Sequence, residues 1–356
     1  MKKNFSKIIA GAMTWGSWGK QFSKTEIIKL TNHCVDNQIT TFDHADIYGG
    51  YTTETDFGNA FAESGIKRET IQLISKCGIQ YISENRNNKV KHYNYSKDYI
   101  IWSAEESLKN LKTDYLDLFL LHRPSPLMQP DDIVEAVSIL KQQGKIKAFG
   151  VSNFTNSQVD LISKSIDVSV NQIEFSLTQH NAMHDGTLDY MMLNNIIPMA
   201  WSPLGYVFKD DNEQTRRIHK QLGELMSKYN ATEDQLLLAW IMMHPANIHP
   251  VVGTTDYKRI TNATKAIQIK LELEDWFLIL VALEKQTDVH TLNFDVRDKD
   301  ETFNAINSLP EDFKSIDILI NNAGNAHGLD PIQTGNTDDW DAMMDINVKG
   351  LLYVSK

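Results

Sequence analysis

Thr41-Phe42-Asp43-His44-Ala45-Asp46-Ile47-Tyr48-Gly49 (T-F-D-H-A-D-I-Y-G) closes a short apolar run on a carboxylate and sets a phenol five residues further on. Two more polar groups end such runs, Lys76 in I-Q-L-I-S-K-C and His122 in D-L-F-L-L-H-R-P. A charge or a phenol at the carboxyl end of a buried strand is what an active site on the open face of a parallel barrel requires. Strand ends are rigid, while the loops beyond them admit substrate. The chain is therefore read as an enzyme.

Outward from these positions, apolar strand, polar loop and amphipathic helix repeat up to about residue 284. The strands are expected at Ile8 to Met13, Thr40 to Asp43, Ile71 to Lys76, Tyr115 to Leu121, Ala148 to Val151, Val168 to Ile173, Ile197 to Trp201 and Ile248 to Val252. Helices are expected between them, among them Lys24 to Asn37, Lys97 to Leu111 and Asp131 to Gln143. Ser23 or Thr25 suits the start of the first and Thr232 that of a later helix, while Gly144 suits a left-handed stop. Eight such units fit an α/β fold of the (β/α)8 TIM barrel type, with parallel pairing through right-handed crossovers. Periodicity alone leaves a doubly wound sheet open, and the motifs decide.

The chain has 356 residues, 42% of them hydrophobic and 23% charged, which is the composition of a globular protein. No apolar run suits a signal peptide or a membrane span, and a cytoplasmic protein is expected. Cys34 and Cys77 are too few for a disulfide framework and read as structural thiols. Of the net charge of −11, residues from Lys285 onward carry −7 (13 acidic, 6 basic), which leaves −4 for the first 284. Neither a nucleic acid nor a membrane is an expected partner, no metal is called for, and the oligomeric state is left unread.

Reduction of a carbonyl needs a hydride donor on one face and a proton donor at the oxygen. A phenol, with an ordinary pKa of about 10, becomes a useful acid beside a buried lysine cation that a carboxylate holds in place. Tyr48, Lys76 and Asp43 supply these parts, and His122 suits orientation or polarisation of the carbonyl. Trp15, Trp18 and Tyr51 are candidates for an apolar wall around a small carbonyl substrate.

Residues 1–284 resemble the aldo-keto reductases. The motifs are the Asp43 and Tyr48 spacing, S-K at Lys76, L-L-H-R-P at His122, G-V-S-N-F at 150–154, N-Q-I-E-F at 171–175 and A-W-S-P-L-G at 200–205. The resemblance implies a catalytic set of Asp43, Tyr48, Lys76 and His122, with Tyr48 as proton donor. It also implies that Ser152, Asn153 and Gln172 bind a nicotinamide carboxamide, that Trp201 stacks on its ring, and that Ser202 and Leu204 lead toward the pyrophosphate. No G-x-G-x-x-G occurs in this part; V-V-G-T-T-D-Y-K-R-I at 251–260 precedes a helix start instead. There Thr254 and Arg259 match positions that contact the 2′-phosphate, so NADP(H) is the implied cofactor. Gly253 departs from the lysine or arginine of many members. A second reading, from a different class, is a cofactor-bound regulatory or accessory subunit with little turnover.

Residues 285–356 resemble a different family, the short-chain dehydrogenases, through F-D-V-R-D at 294–298, I-D-I-L-I-N-N-A-G at 316–324 and D-I-N-V-K-G at 345–350. That resemblance implies a place near adenine for Asp295, along the cofactor for Asn322 to Gly324, and in a catalytic set for Asn347. Strands are expected at Val289 to Phe294 and Ile316 to Ile320, with a helix at Lys299 to Asn307. The Gly-rich turn and the Y-x-x-x-K pair of that family are not found, so this part reads as an incomplete Rossmann-like fragment without activity of its own.

Overall fold

The computed structural model describes residues 5–284, 291–316, 319–324 and 333–356. The chain divides into two compact units, Met1–Lys285 and Gln286–Lys356.

In the first unit eight strands close into one parallel barrel: β1 (Ile9–Gly11), β2 (Thr41–Asp43), β3 (Gln72–Cys77), β4 (Leu118–Leu121), β5 (Phe149–Ser152), β6 (Val170–Glu174), β7 (Ile197–Trp201) and β8 (His249–Val252). Each pairs with its sequence neighbours, and β1 pairs with β8. The eight expected strands are all present, mostly trimmed at their ends. Helices expected at Lys24 to Asn37 and Asp131 to Gln143 run over Lys24–Asp36 (α1) and Pro130–Gln142, and Lys97–Leu111 is met at both ends. Ser23 caps α1 reciprocally with Glu26, which satisfies two otherwise orphaned N–H groups. Gly144 takes φ +71, the left-handed conformation that ends a helix without steric penalty.

Side chains alternate across a strand, so every second residue points into the barrel. Ile9, Ile74, Leu118, Leu120, Ala148, Val170, Met199 and Val251 fill that interior as one apolar cluster. Gly150 belongs to the same face, where a Cβ would lie 2.6 Å from Val170 O and 2.7 Å from Leu120 Cδ2. The next inward position toward the carboxyl ends holds Lys76 above Ile74, His122 above Leu120, Gln172 above Val170 and Trp201 above Met199. The apolar filling is thus the floor on which the polar groups stand. A second and larger core, which includes Phe42, Phe57, Phe119, Phe149 and Trp240, packs the outer strand faces against the helices.

The second unit departs from expectation at its described residues. Lys299–Asn307 is helical as expected, followed by helices at Thr337–Met344 and Leu351–Ser355 that a π-helical turn, Asp345–Gly350, joins. Among the described residues this unit has no strand. Thr291–Phe294 and Ile316, Leu319 and Ile320 are irregular, and the last three are exposed; Val289, His290, Asp317 and Ile318 lie outside the described residues. A parallel strand needs a neighbour for its N–H and C=O groups, and no such neighbour is supplied here. Asp295 is engaged by the Arg297 guanidinium, and Asn347 Oδ1 lies 2.9 Å from where a Cβ on Gly324 would stand. A Rossmann-like sheet is therefore not part of the described fold.

Candidate active site

Asp43, Lys76 and His122 come from the carboxyl ends of β2, β3 and β4. Tyr48 follows β2 in a loop whose next three residues, Gly49, Gly50 and Tyr51, have φ +63, +65 and +74. That left-handed run turns the chain into a helix at Thr53–Phe61 and leaves the phenol over the barrel mouth. A Cβ on Gly49 would meet Thr53 Oγ1 at 2.4 Å, so this turn has no room for a side chain.

Lys76 Nζ, fully buried, donates to Asp43 Oδ2 at 2.8 Å, to His44 O at 2.9 Å and to Tyr48 OH at 3.1 Å. All three ammonium hydrogens are thereby used. Burial alone lowers the lysine pKa, but Asp43, together with Tyr48, outweighs it and holds the ammonium form above its ordinary value. The phenol departs from the sequence-based expectation. Burial raises the Tyr48 pKa, and the Lys76 cation offsets only part of that rise, so the hydroxyl keeps its proton at neutral pH. The His122 ring lies 5.9 Å from the Tyr48 ring, edge to face. Burial, then Lys76 and Arg123, hold its pKa well below the ordinary value, so the imidazole is neutral. Its Nδ1 is buried with no hydrogen-bond partner among the described residues.

The other expected residues gather on the neighbouring strand ends. Gln172 Nε2 donates to Asp43 Oδ1 at 3.0 Å, which satisfies the second carboxylate oxygen. Trp201 Nε1 donates to Asn153 Oδ1 at 3.0 Å, Asn153 Nδ2 donates to Ser152 Oγ at 2.7 Å, and Ser152 Oγ donates to Gln172 O at 2.9 Å. Asn153 and Ser202, neither of them glycine, sit at φ +60 and +54, backbone conformations that cost energy and collect at functional sites. Leu204 is half-buried beyond Ser202. Thr254 Oγ1 accepts from Asp256 N, and Asp256 caps the helix Tyr257–Lys265, in whose first turn Arg259 is exposed.

Of the expected aromatic wall, Trp18 is 38% exposed and 6.2 Å from the Tyr48 ring. Trp15 is not part of it: at 1% exposure it packs on Phe42 and Phe57 behind β2. Tyr51 is half-buried and accepts from Tyr81 N at 2.8 Å, and Tyr81 stands edge-on to Trp18 at 5.3 Å. Sequence reading missed Tyr81, which lies in the loop after β3 with no apolar periodicity to mark it. Both thiols are buried and held protonated, Cys34 pushed up to about 12 and Cys77 well above its ordinary value.

Behind the lysine lies a second layer of acids. Asp46 Oδ2 accepts from Tyr99 OH and Ser103 Oγ at 3.2 Å each, and Glu54 Oε1 accepts from Ser75 Oγ at 2.5 Å. Burial, then the Glu54 charge, push the Asp46 pKa up to about 8. The folded state therefore holds a proton that the unfolded chain releases near pH 4, so stability is full below that value and falls as pH rises toward 8. Asp46→Asn is expected to flatten this decline, whose slope reaches about 1.4 kcal/mol per pH unit for one proton. Denaturant unfolding at pH 5 and at pH 7.5 checks it, and parallel slopes in parent and variant would refute it.

Comparison with known proteins bears on the fold and the family. The aldo/keto reductase family model matches residues 7–280, and the short chain dehydrogenase model matches residues 264–356. The uncharacterized oxidoreductase YcsN of Bacillus subtilis is 43% identical over 286 residues, 79% of this chain and 95% of that protein. The 6-dehydroglucose reductase of Agrobacterium fabrum is 33% identical over 291 residues, 80% of this chain and 97% of that protein. Among solved structures, the thermostable aldo-keto reductase Tm1743 in complex with the inhibitor epalrestat matches with a TM-score of 0.66 at 26% identity, covering 78% of this chain and 94% of that one. A closed parallel barrel with such relatives is an oxidoreductase barrel. The chain belongs to the aldo-keto reductase family. No helix among the described residues is long and apolar enough to cross a membrane.

Proposed function

We propose that the chain reduces aldehyde or ketone carbonyls with NADPH and that Tyr48 delivers the proton. The observation that carries this reading is the three-way contact of Lys76 Nζ with Tyr48 OH, Asp43 Oδ2 and His44 O at the barrel mouth. The residues fit the dinucleotide. The half-buried Trp201 indole is tethered at its N–H, Gln172 keeps Oε1 as an acceptor for a carboxamide N–H, and a Cβ on Gly253 would meet nothing within 4 Å. Ser152, Asn153 and Gln172 would hold the carboxamide, Trp201 the ring, and Ser202 and Leu204 the path toward the pyrophosphate. Thr254 and Arg259 would hold the 2′-phosphate at a helix start.

Bound there, the cofactor supplies a hydride to the carbonyl carbon. The Tyr48 O–H hydrogen-bonds the carbonyl oxygen and transfers its proton as negative charge develops there. Lys76 stabilises the phenolate left behind, and Asp43 keeps the lysine charged and in place. His122, neutral, offers a ring N–H to the same oxygen without adding a second charge. We infer that residues 285–356 take no part in this chemistry, a reading that the lack of a strand among their described residues supports.

Consumption of NADPH on addition of a simple aldehyde tests the proposal against the accessory-subunit reading, which expects cofactor binding with no turnover. The Arg259 side chain forms no ion pair among the described residues, although its charge acts on the Asp256 carboxylate, which accepts from Arg259 N at 2.9 Å. Arg259→Ala is expected to weaken NADPH about 10- to 100-fold, the range for a charge-assisted contact, and NADH far less. Fluorescence titration with both cofactors checks this, and equal loss for the two would assign Arg259 a structural part only.

A further inference from the structure

Arg123 follows His122 beyond the end of β4, and none of the roles above uses it. Its main chain is held from both sides by one buried phenol. Tyr95 OH donates to Arg123 O at 2.5 Å and accepts from Arg123 N at 3.2 Å. The half-buried guanidinium lies 5.2 Å from the centroid of the Trp201 ring. Two other half-buried arginines have carboxylate partners, Arg68 bonding Asp117 at 2.7 Å and Arg217 lying 3.4 Å from Glu213, whereas half-buried Arg86 lies over the Tyr51 and Trp102 rings at 4.5 and 4.3 Å with no carboxylate partner among the described residues. Arg123 has none among the described residues. Its charge nevertheless acts on both His122 and Tyr48, and Lys91 acts on His122 as well. The mouth beside the phenol is therefore cationic in a chain whose net charge is −11.

A guanidinium that is partly withdrawn from water, fixed at its backbone and left without an anion among the described residues regains only a cation–π contact with Trp201 against its desolvation. A ligand oxyanion supplies the missing partner, and the planar fork suits carboxylate and phosphate alike. We propose that Arg123 anchors an oxyanion substituent, carboxylate or phosphate, of the carbonyl substrate. Anchored at that end, the substrate is oriented with its carbonyl toward Tyr48 and His122. This rests on the carbonyl-reductase reading and adds its substrate class, anionic aldehydes or ketones.

The test uses the full chain, NADPH and two matched pairs: para-carboxybenzaldehyde against its methyl ester, and glycolaldehyde phosphate against glycolaldehyde. The parent is expected to favour the anionic member in at least one pair, and which pair tells carboxylate from phosphate. Arg123→Gln is expected to lower the anionic-to-neutral ratio of kcat/KM in that pair about 10- to 100-fold, chiefly through KM. Arg123→Lys, which keeps the charge but not the fork, is expected to fall between the two. A parent that favours the neutral member of both pairs overturns the proposal, as does a ratio that neither variant moves. Turnover of none of the four compounds overturns the reductase reading and the proposal with it, an outcome distinct from turnover without anion preference.

Discussion

Tyr48→Phe is expected to lower kcat for carbonyl reduction by about 10²-fold or more, because positioned general acids contribute roughly 10² to 10⁴. The substitution isolates the proton. Lys76 loses one acceptor of three but keeps Asp43 Oδ2 and His44 O, so the buried ammonium stays paired. The Tyr48 ring packs with Ala45, Ile47 and Ile79, contacts that a phenylalanine ring retains. Stability should therefore fall by no more than about 1.5–3 kcal/mol, the worth of one hydrogen bond to a charged group. NADPH affinity, which the proposed contacts assign to other strand ends, should stay near the parental value. Single-turnover kinetics with a fluorescence titration measure both quantities, and near-parental kcat would remove Tyr48 from the proton-donor role.

Lys76→Met is expected to abolish measurable turnover and also to destabilise the fold by about 3–5 kcal/mol, the usual cost of leaving one member of a buried ion pair alone. Asp43, 3% exposed, would keep only the Gln172 amide at 3.0 Å against its charge. The phenol would suffer as well, since the same carboxylate raises its pKa and the lysine is what opposes that effect. The double variant Lys76→Met with Asp43→Leu separates the two consequences. Replacing both charges by apolar groups should return most of the stability and none of the activity. Denaturant unfolding of the three proteins, with NADPH-coupled assays, decides it. A single variant as stable as the parent would mean that Asp43 is not a buried charge in need of Lys76.

Different parts of this protein were legible in its sequence for different reasons. The barrel was legible because short apolar runs such as Ile71 to Lys76 and Tyr115 to Leu121 recur between amphipathic helices, the pattern of parallel strands buried on both faces. Local chemistry likewise declared the α1 start at Ser23 and the stop at Gly144. In the C-terminal unit the described residues of the two expected strands are irregular, for the complementary reason. Ile316 to Ile320 has the composition of a buried strand, but strand formation depends on neighbours that composition cannot supply.

The amino-acid sequence by itself determined which chemical groups stand at strand ends: a carboxylate at Asp43, a phenol at Tyr48, an ammonium at Lys76, an imidazole at His122. These are properties of short segments, fixed by where each apolar run ends. Only the tertiary structure decided who meets whom. Closure of the sheet brings Gln172 onto Asp43 across 129 residues of chain, sets Trp15 behind β2 and not in the wall, and gives Tyr48 a pKa raised by burial despite its lysine. It also leaves Arg123 facing Trp201 with no carboxylate partner among the described residues. Contacts between distant strand ends and the desolvation they impose arise from barrel closure, and a linear pattern does not encode the distance or the solvent exposure that closure creates.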